Sequence, residues 1–290
     1  KLYEGGHITY MRTDSSKYSE KFIKDCKNFI KKKYDKKYVS ENVSKLSNKT
    51  KNKKDDKNSQ DAHEAIRPTQ IDKEILENMD VGQNNLYKLI RNITLESFMI
   101  NAVYKNVNAS ITAPNSLLYK NNQEQVVEPG WKIVRGYQEV NPDYTFLYSK
   151  LDKKLIIKYK SIQSVAHLKD KKCHLTEARL VQILETKGIG RPSTFSNIIT
   201  KIQDRGYVKK MDVPGKKITT NDFTLIKKKI EKKEIAKEFG NEKNKLVLQP
   251  TGKIVIEFLI KHFNSLFIYD YTKNMEDFLD EVSKGRKQKE

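Results

Sequence analysis

A tyrosine between a glycine pair and a basic, hydroxyl-rich segment is the feature of this sequence best suited to chemistry. Tyr10 follows Gly5-Gly6 and stands two positions before Arg12. On a β-strand the Tyr and Arg side chains would project from one face. A guanidinium beside a phenol favours the phenolate and stabilises charge on a phosphate under attack. The spacing therefore indicates phosphoryl chemistry, although most of the 15 tyrosines in the chain must be structural.

Polar side chains next to this tyrosine extend the same candidate pocket. Thr9 and Thr13 carry hydroxyls that can donate hydrogen bonds to phosphate oxygens. Asp14 carries a carboxylate that can orient Arg12. From composition alone, a structural tyrosine on a half-buried strand with its neighbours at the surface is the favoured interpretation.

A histidine in a charged setting is the second candidate. His63 lies between Asp61 and Glu64. Arg67-Pro68 follows shortly after. A lone histidine is more often structural than catalytic, but these neighbours also suit contact with a phosphate, so both interpretations stay open.

A glycine-containing turn between two helical patterns is the third candidate. Thr176 is a predicted cap for the first helix, Gly188–Pro192 interrupts the pattern, and Ser193 opens the next helix. Arg191, Ser193 and Thr194 thus lie where the free N–H groups of a helix start can bind phosphate. A plain cap with a surface arginine explains them equally well. The helix-turn-helix itself is more often ordinary packing than a reader of DNA.

The charge balance favours a polyanionic partner. Fifty-seven Lys and Arg against 37 Asp and Glu give a formal charge of +20. Such a field concentrates polyanions, so nucleic acid is the first partner to consider. A lysine-rich composition from an AT-biased genome explains part of the excess. The 290 residues suffice for two or three compact units.

The two cysteines and the lack of long apolar runs indicate the cellular setting. Cys26 and Cys173 form neither a metal knuckle nor a disulfide framework, which is typical of a reducing, intracellular compartment. No apolar stretch reaches the ~18 residues of a membrane helix, and no signal peptide is recognisable. We therefore expect a soluble protein without membrane contact. Because Lys1 stands where an initiator Met is expected, we interpret the sequence as an excised fragment.

Hydrophobic spacing predicts helices on both sides of a β-rich middle. The predicted helices begin at Ser19, Asn85, Thr176, Ser193, Thr251 and Thr272. The predicted strands are Val107–Thr112 and Leu155–Tyr159. Lys45–Asn58 is typical of a solvated loop, and Lys209–Lys245 of a hairpin or loop insertion.

Two helix faces are predicted in more detail. The helix expected over Asn85–Tyr104 has an apolar stripe, typical of a face that packs on a core, formed by Leu86, Leu89, Ile90, Ile93 and Met99. The last helix has an acidic face, typical of a solvated surface, formed by Glu276, Asp277, Asp280 and Glu281.

Taken together, five stretches closely resemble the signatures of type IA DNA topoisomerases, in the order and spacing of that family. They are Gly6–Ser15 (GHITYMRTDS), Ala62–Thr69 (AHEAIRPT), Thr176–Ala178 (TEA), Gly188–Thr194 (GIGRPST) and Ile202–Val208 (IQDRGYV). The similarity covers nearly the whole chain apart from the Lys-rich insertions. Chance agreement on long motifs in one order is remote, so the structural alternatives for single residues lose most of their weight.

The resemblance implies a role for each candidate. Tyr10 would cut one DNA strand and hold its 5′-phosphate as a phosphotyrosine ester. Arg12 would stabilise the phosphate, and His63 would contact it or orient its neighbours. Arg191 and Thr194 would position the strand upstream of the break. The implied DNA-binding residues are Thr9, Thr13, Asp14, Arg67, Arg191, Ser193 and Thr194.

The resemblance also implies an α+β multi-domain fold. Residues 1–104 would form a helical tyrosine domain, 105–172 a β-rich hinge domain, and 173–290 a helical domain that lines a groove for single-stranded DNA. In this family the tyrosine domain swings open so that a second strand passes, and resealing changes the linking number by one. The implied reaction relaxes negatively supercoiled DNA without ATP, and we expect a monomer.

One departure from the family concerns the metal. Family members carry a preceding Toprim domain in which a Glu and a DxD cluster hold Mg²⁺, whereas Asp55-Asp56 here lies in a Lys-rich loop. We expect no metal site in this stretch and Mg²⁺ bound by the Toprim domain of the same full-length chain. The fragment alone would bind single-stranded DNA without efficient cleavage. Gly188–Thr194 favours topoisomerase I over topoisomerase III or reverse gyrase.

Two other classes compete with this interpretation. A tyrosine recombinase or type IB topoisomerase also uses Tyr, Arg and His, but its Tyr follows the basic residues, whereas Tyr10 precedes His63 and Arg191. A basic helix-turn-helix protein would leave the Tyr10 segment unexplained. The expected location is any compartment with DNA: cytoplasm or nucleoid, nucleus, organelle or viral factory.

Overall fold

The chain divides into two compact units. The computed structural model describes residues 1–47, 63–151 and 158–287, and the units comprise Lys1–Ile156 and Ile157–Glu290. Both units contain helices and antiparallel strands, which confirms the predicted α+β class. The finer division into three domains, with boundaries after residues 104 and 172, stays a prediction.

The first unit combines helices with a β-hairpin. Its α-helices are α1 (Glu20–Lys33), α2 (Val81–Ser97) and α3 (Pro142–Tyr148), and short 3-10 helices occupy Lys36–Tyr38, Glu41–Leu46, Pro114–Ser116 and Gly130–Val134. Strands β1 (Val103–Thr112) and β2 (Leu118–Glu128) pair antiparallel. The predicted strand within β1 is confirmed, and α2 begins and ends earlier than predicted. The predicted loop at Lys45–Asn58 lies largely outside the described residues.

The second unit contains helices and two small antiparallel sheets. Its helices are α4 (Glu177–Thr186), α5 (Phe195–Asp204), α6 (Pro250–Phe263), the 3-10 helix Asn264–Leu266 and α7 (Tyr269–Ser283). Its strands are β3 (Ser161–Ser164), β4 (Val208–Val213), β5 (Lys216–Ile226), β6 (Lys229–Phe239) and β7 (Glu242–Leu248). The sheets are β3-β5-β6 and β4-β7, so the hairpin predicted within Lys209–Lys245 is confirmed. The predicted strand Leu155–Tyr159 falls mostly outside the described residues. In the described parts of the chain, no helix combines the length and apolar character needed to cross a membrane.

Helix α1 contributes the centre of the core of the first unit, as its spacing predicts. Phe22, Cys26 and Ile30 are buried along one side of it and belong to the same apolar cluster as Phe98. Ser19 occupies the N-cap position, but its side chain makes no capping hydrogen bond. Burial raises the pKa of the Cys26 thiol to about 12, so this sulfur is a neutral packing group.

The buried face of α2 is not the predicted one. The predicted apolar stripe is about half exposed at Leu86, Leu89 and Ile93. The residues buried on this helix are Tyr87, Arg91, Thr94 and Leu95. The prediction was wrong because periodicity counts apolar side chains, whereas polar side chains are also buried when their polar atoms find partners.

The buried polar groups of α2 have such partners in the segment before the helix. The hydroxyl of Tyr87 donates a hydrogen bond to the carbonyl oxygen of Gln70 at 3.0 Å. Nε of Arg91 donates to the carbonyl oxygen of Ile71 at 2.8 Å, and its Nη2 lies 3.3 Å from a carboxylate oxygen of Glu74. These contacts hold residues 70–74 against α2, and residues 70–74 directly follow the second candidate motif.

A close approach of α6 to the chain after α5 requires a glycine. A Cβ atom at Gly252 would lie 2.2 Å from the carbonyl oxygen of Tyr207. The backbone N–H of Gln249 donates to the same carbonyl at 2.9 Å. The first turn of α6 therefore packs directly against the backbone of Tyr207, and only a residue without a side chain fits at position 252.

A buried carboxylate ties the segment before α4 to β7. Glu242 is 7% exposed, and its carboxylate accepts hydrogen bonds from Nζ of Lys171 at 2.9 Å and from the backbone N–H of His174 at 3.0 Å. Nδ1 of His174 lies 3.1 Å from the carboxylate oxygen that Lys171 contacts. The hydrogen bonds from Lys171 and then from His174 lower the pKa of Glu242 to about 2. This cluster fixes the entry to α4.

We expect Gly252→Ala to lower the free energy of unfolding by about 1–3 kcal/mol, because the new methyl group would push the helix away from backbone atoms. Urea and thermal unfolding measure the change. Gly82→Ala is the matched control, since a Cβ there would meet only a side-chain oxygen of Asp80 at 3.3 Å. Equal stability of Gly252→Ala and the wild type would contradict the close approach.

Glu242→Gln should destabilise the chain at neutral pH, by an amount that shrinks as the pH falls. The pKa of Glu242 in the folded chain is about 2, below the ~4.3 of an unfolded glutamate. The stabilisation by the ionised carboxylate is therefore fully present above the pKa of Glu242 in the unfolded state. It is lost as the pH falls through the pKa of Glu242 in the folded state. Urea unfolding across this range measures the difference. Asp170→Asn, at an 85% exposed carboxylate nearby, is the control; a difference that does not vary with pH would count against the assignment.

Candidate functional site

The first residues form a helical turn that directs the chain toward the candidate nucleophile. The backbone N–H of His7 donates to the carbonyl oxygen of Leu2, and that of Gly6 donates to the carbonyl oxygen of Tyr3, each at 2.9 Å. With Gly6 at φ +69°, these two bonds make a Schellman motif, a common way for helices to end. Leu2 and Ile8, on either side of the turn, are buried in one apolar cluster. The chain therefore leaves the turn in a fixed direction.

The segment after this turn pairs with the second candidate motif. The backbone N–H of Thr9 donates to the carbonyl oxygen of Arg67 at 3.0 Å, and that of Thr69 donates to the carbonyl oxygen of His7 at 2.9 Å. These bonds form one short antiparallel bridge. Two motifs that are distant in the sequence are thus held side by side by backbone hydrogen bonds.

The hydroxyl of Thr9 ends this pairing. It accepts a hydrogen bond from the backbone N–H of Arg67 at 2.9 Å and donates one to the carbonyl oxygen of Ala65 at 2.7 Å. That carbonyl is the acceptor that the next step of an antiparallel ladder would use, so Tyr10 follows in irregular backbone. The expected strand that would place Tyr10 and Arg12 on one face is therefore wrong. The predicted contact of Thr9 with DNA stays a prediction.

The ring of Tyr10 lies between two other rings. Its centroid is 5.2 Å from that of Tyr3, at an interplanar angle of 65°, and 5.0 Å from that of His63, at 31°. Such contacts restrict the motion of the partly buried tyrosine ring. Sequence reasoning did not identify Tyr3, because nothing in the first four residues distinguishes a structural tyrosine from one that packs on a nucleophile.

His63 contains a buried nitrogen without a partner. Among the described residues, no group forms a hydrogen bond with its Nδ1 atom. A buried polar atom in this state costs about 1–3 kcal/mol, so its occurrence calls for a functional explanation. The structure thus brings the rings of Tyr10 and His63 into contact and leaves Nδ1 of His63 buried without a hydrogen bond among the described residues.

Residues that follow the tyrosine lie on the surface. Arg12 and Asp14 are exposed, and neither makes a hydrogen bond or ion pair with another described residue, so the suggested pairing of Asp14 with Arg12 does not form there. The hydroxyl of Thr13 accepts a hydrogen bond from the backbone N–H of Ser15 at 3.0 Å, a local turn. The guanidinium of Arg12 therefore keeps its donors for a ligand.

Arg67 has a structural environment. Its Nε donates to a carboxylate oxygen of Glu64 at 2.7 Å, and its guanidinium lies 4.1 Å from the centroid of the Phe22 ring. The same carboxylate oxygen accepts from the backbone N–H of Ser19 at 3.2 Å. Burial raises the pKa of Glu64, but the hydrogen bond and charge of Arg67 outweigh it and hold the pKa below its ordinary value. These contacts join the His63 segment to α1; the predicted contact of Arg67 with DNA is untested.

The second unit carries the other predicted DNA-binding residues. Helix α5 begins at Phe195, two residues later than the predicted start at Ser193, and Thr194 is its N-cap. The hydroxyl of Thr194 accepts a hydrogen bond from the backbone N–H of Arg191 at 2.9 Å. Gly190, at φ +81°, makes room for it, since a Cβ there would lie 3.0 Å from that hydroxyl. Arg191, Ser193 and Thr194 thus form one local cluster.

Two carboxylates of α7 contact Arg191. Its Nη1 donates to a carboxylate oxygen of Glu276 and to the carbonyl oxygen of Gly190, the latter at 3.1 Å, and its Nη2 lies 3.7 Å from a carboxylate oxygen of Asp280. The predicted solvated face is therefore wrong for Glu276 and Asp280. Neither motif nor periodicity indicates this contact, because Arg191 and Glu276 are 85 positions apart in the chain.

The residues near the candidate site do not fit Mg²⁺. In the described ranges, no three His, Cys, Asp or Glu side chains are grouped so that they could hold a metal ion. Magnesium requires several oxygen ligands in near-octahedral arrangement, and the carboxylate next to His63 in the sequence, that of Glu64, is already paired with Arg67.

Comparison with known proteins decides the family. A family model described as DNA topoisomerase matches residues 1–238, a range that includes Tyr10, His63 and Arg191. The chain belongs to the type IA DNA topoisomerases.

Relatives of this topoisomerase family are longer than the chain. A mimivirus protein (Acanthamoeba polyphaga mimivirus) named "DNA topoisomerase 1 type prokaryotic" is 37% identical over 315 residues, covering 99% of the chain and 35% of the relative. DNA topoisomerase 1 of Buchnera aphidicola (subsp. Acyrthosiphon pisum) is 35% identical over 291 residues, covering 99% and 29%. The chain therefore spans about a third of the length of these relatives.

A solved topoisomerase shares the fold. The structure of full-length topoisomerase I from Thermotoga maritima matches with a TM-score of 0.63 and 22% sequence identity, covering 97% of this chain and 39% of that one. At this identity the likeness establishes the fold alone. The predicted α+β multi-domain architecture of the topoisomerase core is thus confirmed.

Thr9→Val should lower the free energy of unfolding by about 1–3 kcal/mol, because it leaves the N–H of Arg67 and the carbonyl of Ala65 without their shared partner. Thr9→Ser keeps the hydroxyl and is the matched control, with a smaller expected loss. Chemical unfolding of both variants measures the effect. Indistinguishable stability of the two variants would show that the hydroxyl contributes nothing.

Proposed function

We propose that this chain supplies the nucleophile of a type IA topoisomerase, which cuts one DNA strand, passes another through the gap and reseals the first. The observation that carries the proposal is the position of Tyr10 between the rings of Tyr3 and His63. Arg12 follows two residues later, without a partner among the described residues. Family membership supports the proposal, because the matched range contains all four positions.

In the proposed reaction, the phenol oxygen of Tyr10 attacks a phosphorus atom of the strand. The Oη–P bond forms while the P–O3′ bond breaks; the phenol gives up its proton and the leaving 3′-oxygen takes one up. The products are a 5′-phosphotyrosine ester and a free 3′-hydroxyl. Resealing reverses the same exchange, so phosphoester bonds are conserved and ATP is not required.

The neighbours of Tyr10 have complementary roles in this step. Arg12 stabilises the charge on the non-bridging oxygens, a contribution typically worth about 10²–10³ in rate for one well-placed donor. His63 contacts the phosphate or orients the groups around it, and the contact of its ring with that of Tyr10 supports this role. Thr13 and Asp14 complete the pocket on the exposed side.

The second unit contributes binding of the DNA strand. Arg191, Ser193 and Thr194 hold the phosphates upstream of the break, at the start of α5. The formal charge of +20 strengthens this binding and makes it sensitive to salt. The substrate is single-stranded DNA, as exposed in negatively supercoiled duplex, and basic residues along the backbone suit it.

The complete reaction needs more than this chain. We propose that Mg²⁺ is held by a Toprim domain of the same full-length protein, since the described residues lack a suitable group of ligands. By itself the chain binds single-stranded DNA without efficient cleavage. The enzyme works as a monomer in a compartment that contains DNA, and it is of the topoisomerase I type.

Tyr10→Phe should abolish covalent attachment to DNA, because it removes only the attacking oxygen. The assay uses the chain expressed with whatever sequence flanks it in its gene, Mg²⁺, and a single-stranded oligonucleotide labelled at its 3′ end. A 5′-phosphotyrosine transfers this label to the wild-type protein.

Two further arms decide between the candidate classes. Tyr148→Phe, at an exposed tyrosine elsewhere in the first unit, should retain attachment. An oligonucleotide labelled at its 5′ end should leave the protein unlabelled; a labelled protein would mean a 3′-phosphotyrosine and a recombinase or type IB mechanism. Tight duplex binding without any attachment would instead favour a helix-turn-helix protein.

A further inference from the structure

An acidic helix lies against the arginine proposed to hold DNA. Within the described residues, α7 carries a lysine, Lys273, and several carboxylates, at Asp270, Glu276, Asp277, Asp280 and Glu281. This helix is therefore strongly negative within a chain whose formal charge is +20. A negative helix beside a phosphate-binding residue opposes the binding that the rest of the chain favours.

Several contacts seat α7 on the turn that carries Arg191. Nζ of Lys187 lies 4.0 Å from the ring centroid of Tyr269. A Cβ at Gly188 would lie 3.1 Å from a side-chain carbon of Lys273, so the turn and the helix touch there as well. These contacts align the first part of α7 with the turn and bring its later carboxylates to the guanidinium.

The carboxylates of Glu276 and Asp280 bind the guanidinium of Arg191 in the way a phosphate would. Carboxylates and phosphates both accept hydrogen bonds from the planar fork of an arginine. The Arg191 side chain is 27% exposed and that of Glu276 is 24% exposed, so water does not fully screen the contact. Two carboxylates around one guanidinium leave a local negative charge, which repels an incoming phosphate.

We propose that Glu276 and Asp280 act as an internal phosphate mimic that competes with a DNA strand for Arg191. The inference rests on the proposed function, in which Arg191 contacts the strand. Partly exposed ion pairs are weak, so a strand displaces the carboxylates once its other phosphates are bound. We name this contact the acidic latch. Because a strand must bind through other phosphates before it displaces the carboxylates, the acidic latch favours long single-stranded segments over short ones.

The test compares two double variants that remove equal charge from the same helix. Glu276→Gln/Asp280→Asn opens the acidic latch, and Asp277→Asn/Glu281→Gln leaves it intact. Anisotropy of a labelled single-stranded oligonucleotide, without Mg²⁺, gives the dissociation constant of each protein expressed with its flanking sequence. The first variant should bind about threefold to tenfold more tightly than the control variant. Thermal unfolding verifies that both fold.

Arg191→Gln separates failure of this inference from failure of the proposed function. Weaker binding by Arg191→Gln alone supports its contact with DNA, and in its presence opening the latch should give no gain. Unchanged binding by Arg191→Gln would overturn the acidic latch and the proposed contact of Arg191 with DNA, while the covalent attachment through Tyr10 is tested separately. Arg191→Gln could weaken binding while Glu276→Gln/Asp280→Asn binds the oligonucleotide only as tightly as the control variant. In that case only the proposed competition is wrong. Weaker binding by the open latch would mean that the carboxylates position Arg191 for DNA.

Discussion

The hydroxyl of Thr9 bonds two backbone groups of a segment 56 and 58 positions away, and the location of Tyr10 depends on this contact. The hydroxyl takes the carbonyl of Ala65 that a further ladder step would need. The chain therefore stops being a strand one residue before the nucleophile, and the tyrosine ring turns toward His63. A side chain of modest size thus fixes both the end of the pairing and the neighbour of the reactive group.

Within each unit, hydrogen-bonded polar atoms fix the segments that carry the candidate site residues. In the first unit, Arg91 and Arg67 are buried against carbonyl and carboxylate oxygens that anchor the His63 segment from two sides. In the second, Glu242 fixes the entry to α4. Burial of each of these charged groups costs desolvation free energy. Its hydrogen bonds fix the position of the segments that it contacts, because a charged hydrogen bond tolerates little displacement.

Several local signals were read correctly from the sequence, whereas contacts between distant segments were not. The side chain of Thr176 does cap α4, and Phe22, Cys26 and Ile30 do line the buried side of α1, because capping and periodicity depend only on near neighbours. By resemblance, the motifs assigned Tyr10 and His63 to one catalytic site; their roles stay a prediction, and the structure places the two rings in contact. Periodicity failed on α2, where hydrogen bonds made polar burial favourable. The contact of Glu276 with Arg191 involves two elements whose proximity only the fold determines.

The state of the two cysteines has a practical consequence for studying this chain. Cys26 is buried in the core with its pKa raised to about 12, so alkylating reagents that need a thiolate will not reach it in the folded state. Cys173 is exposed, immediately before the segment that Glu242 anchors. A fluorophore therefore attaches at one defined place without any engineered substitution, and it sits beside the entry to α4, where it can report on DNA arriving at the second unit.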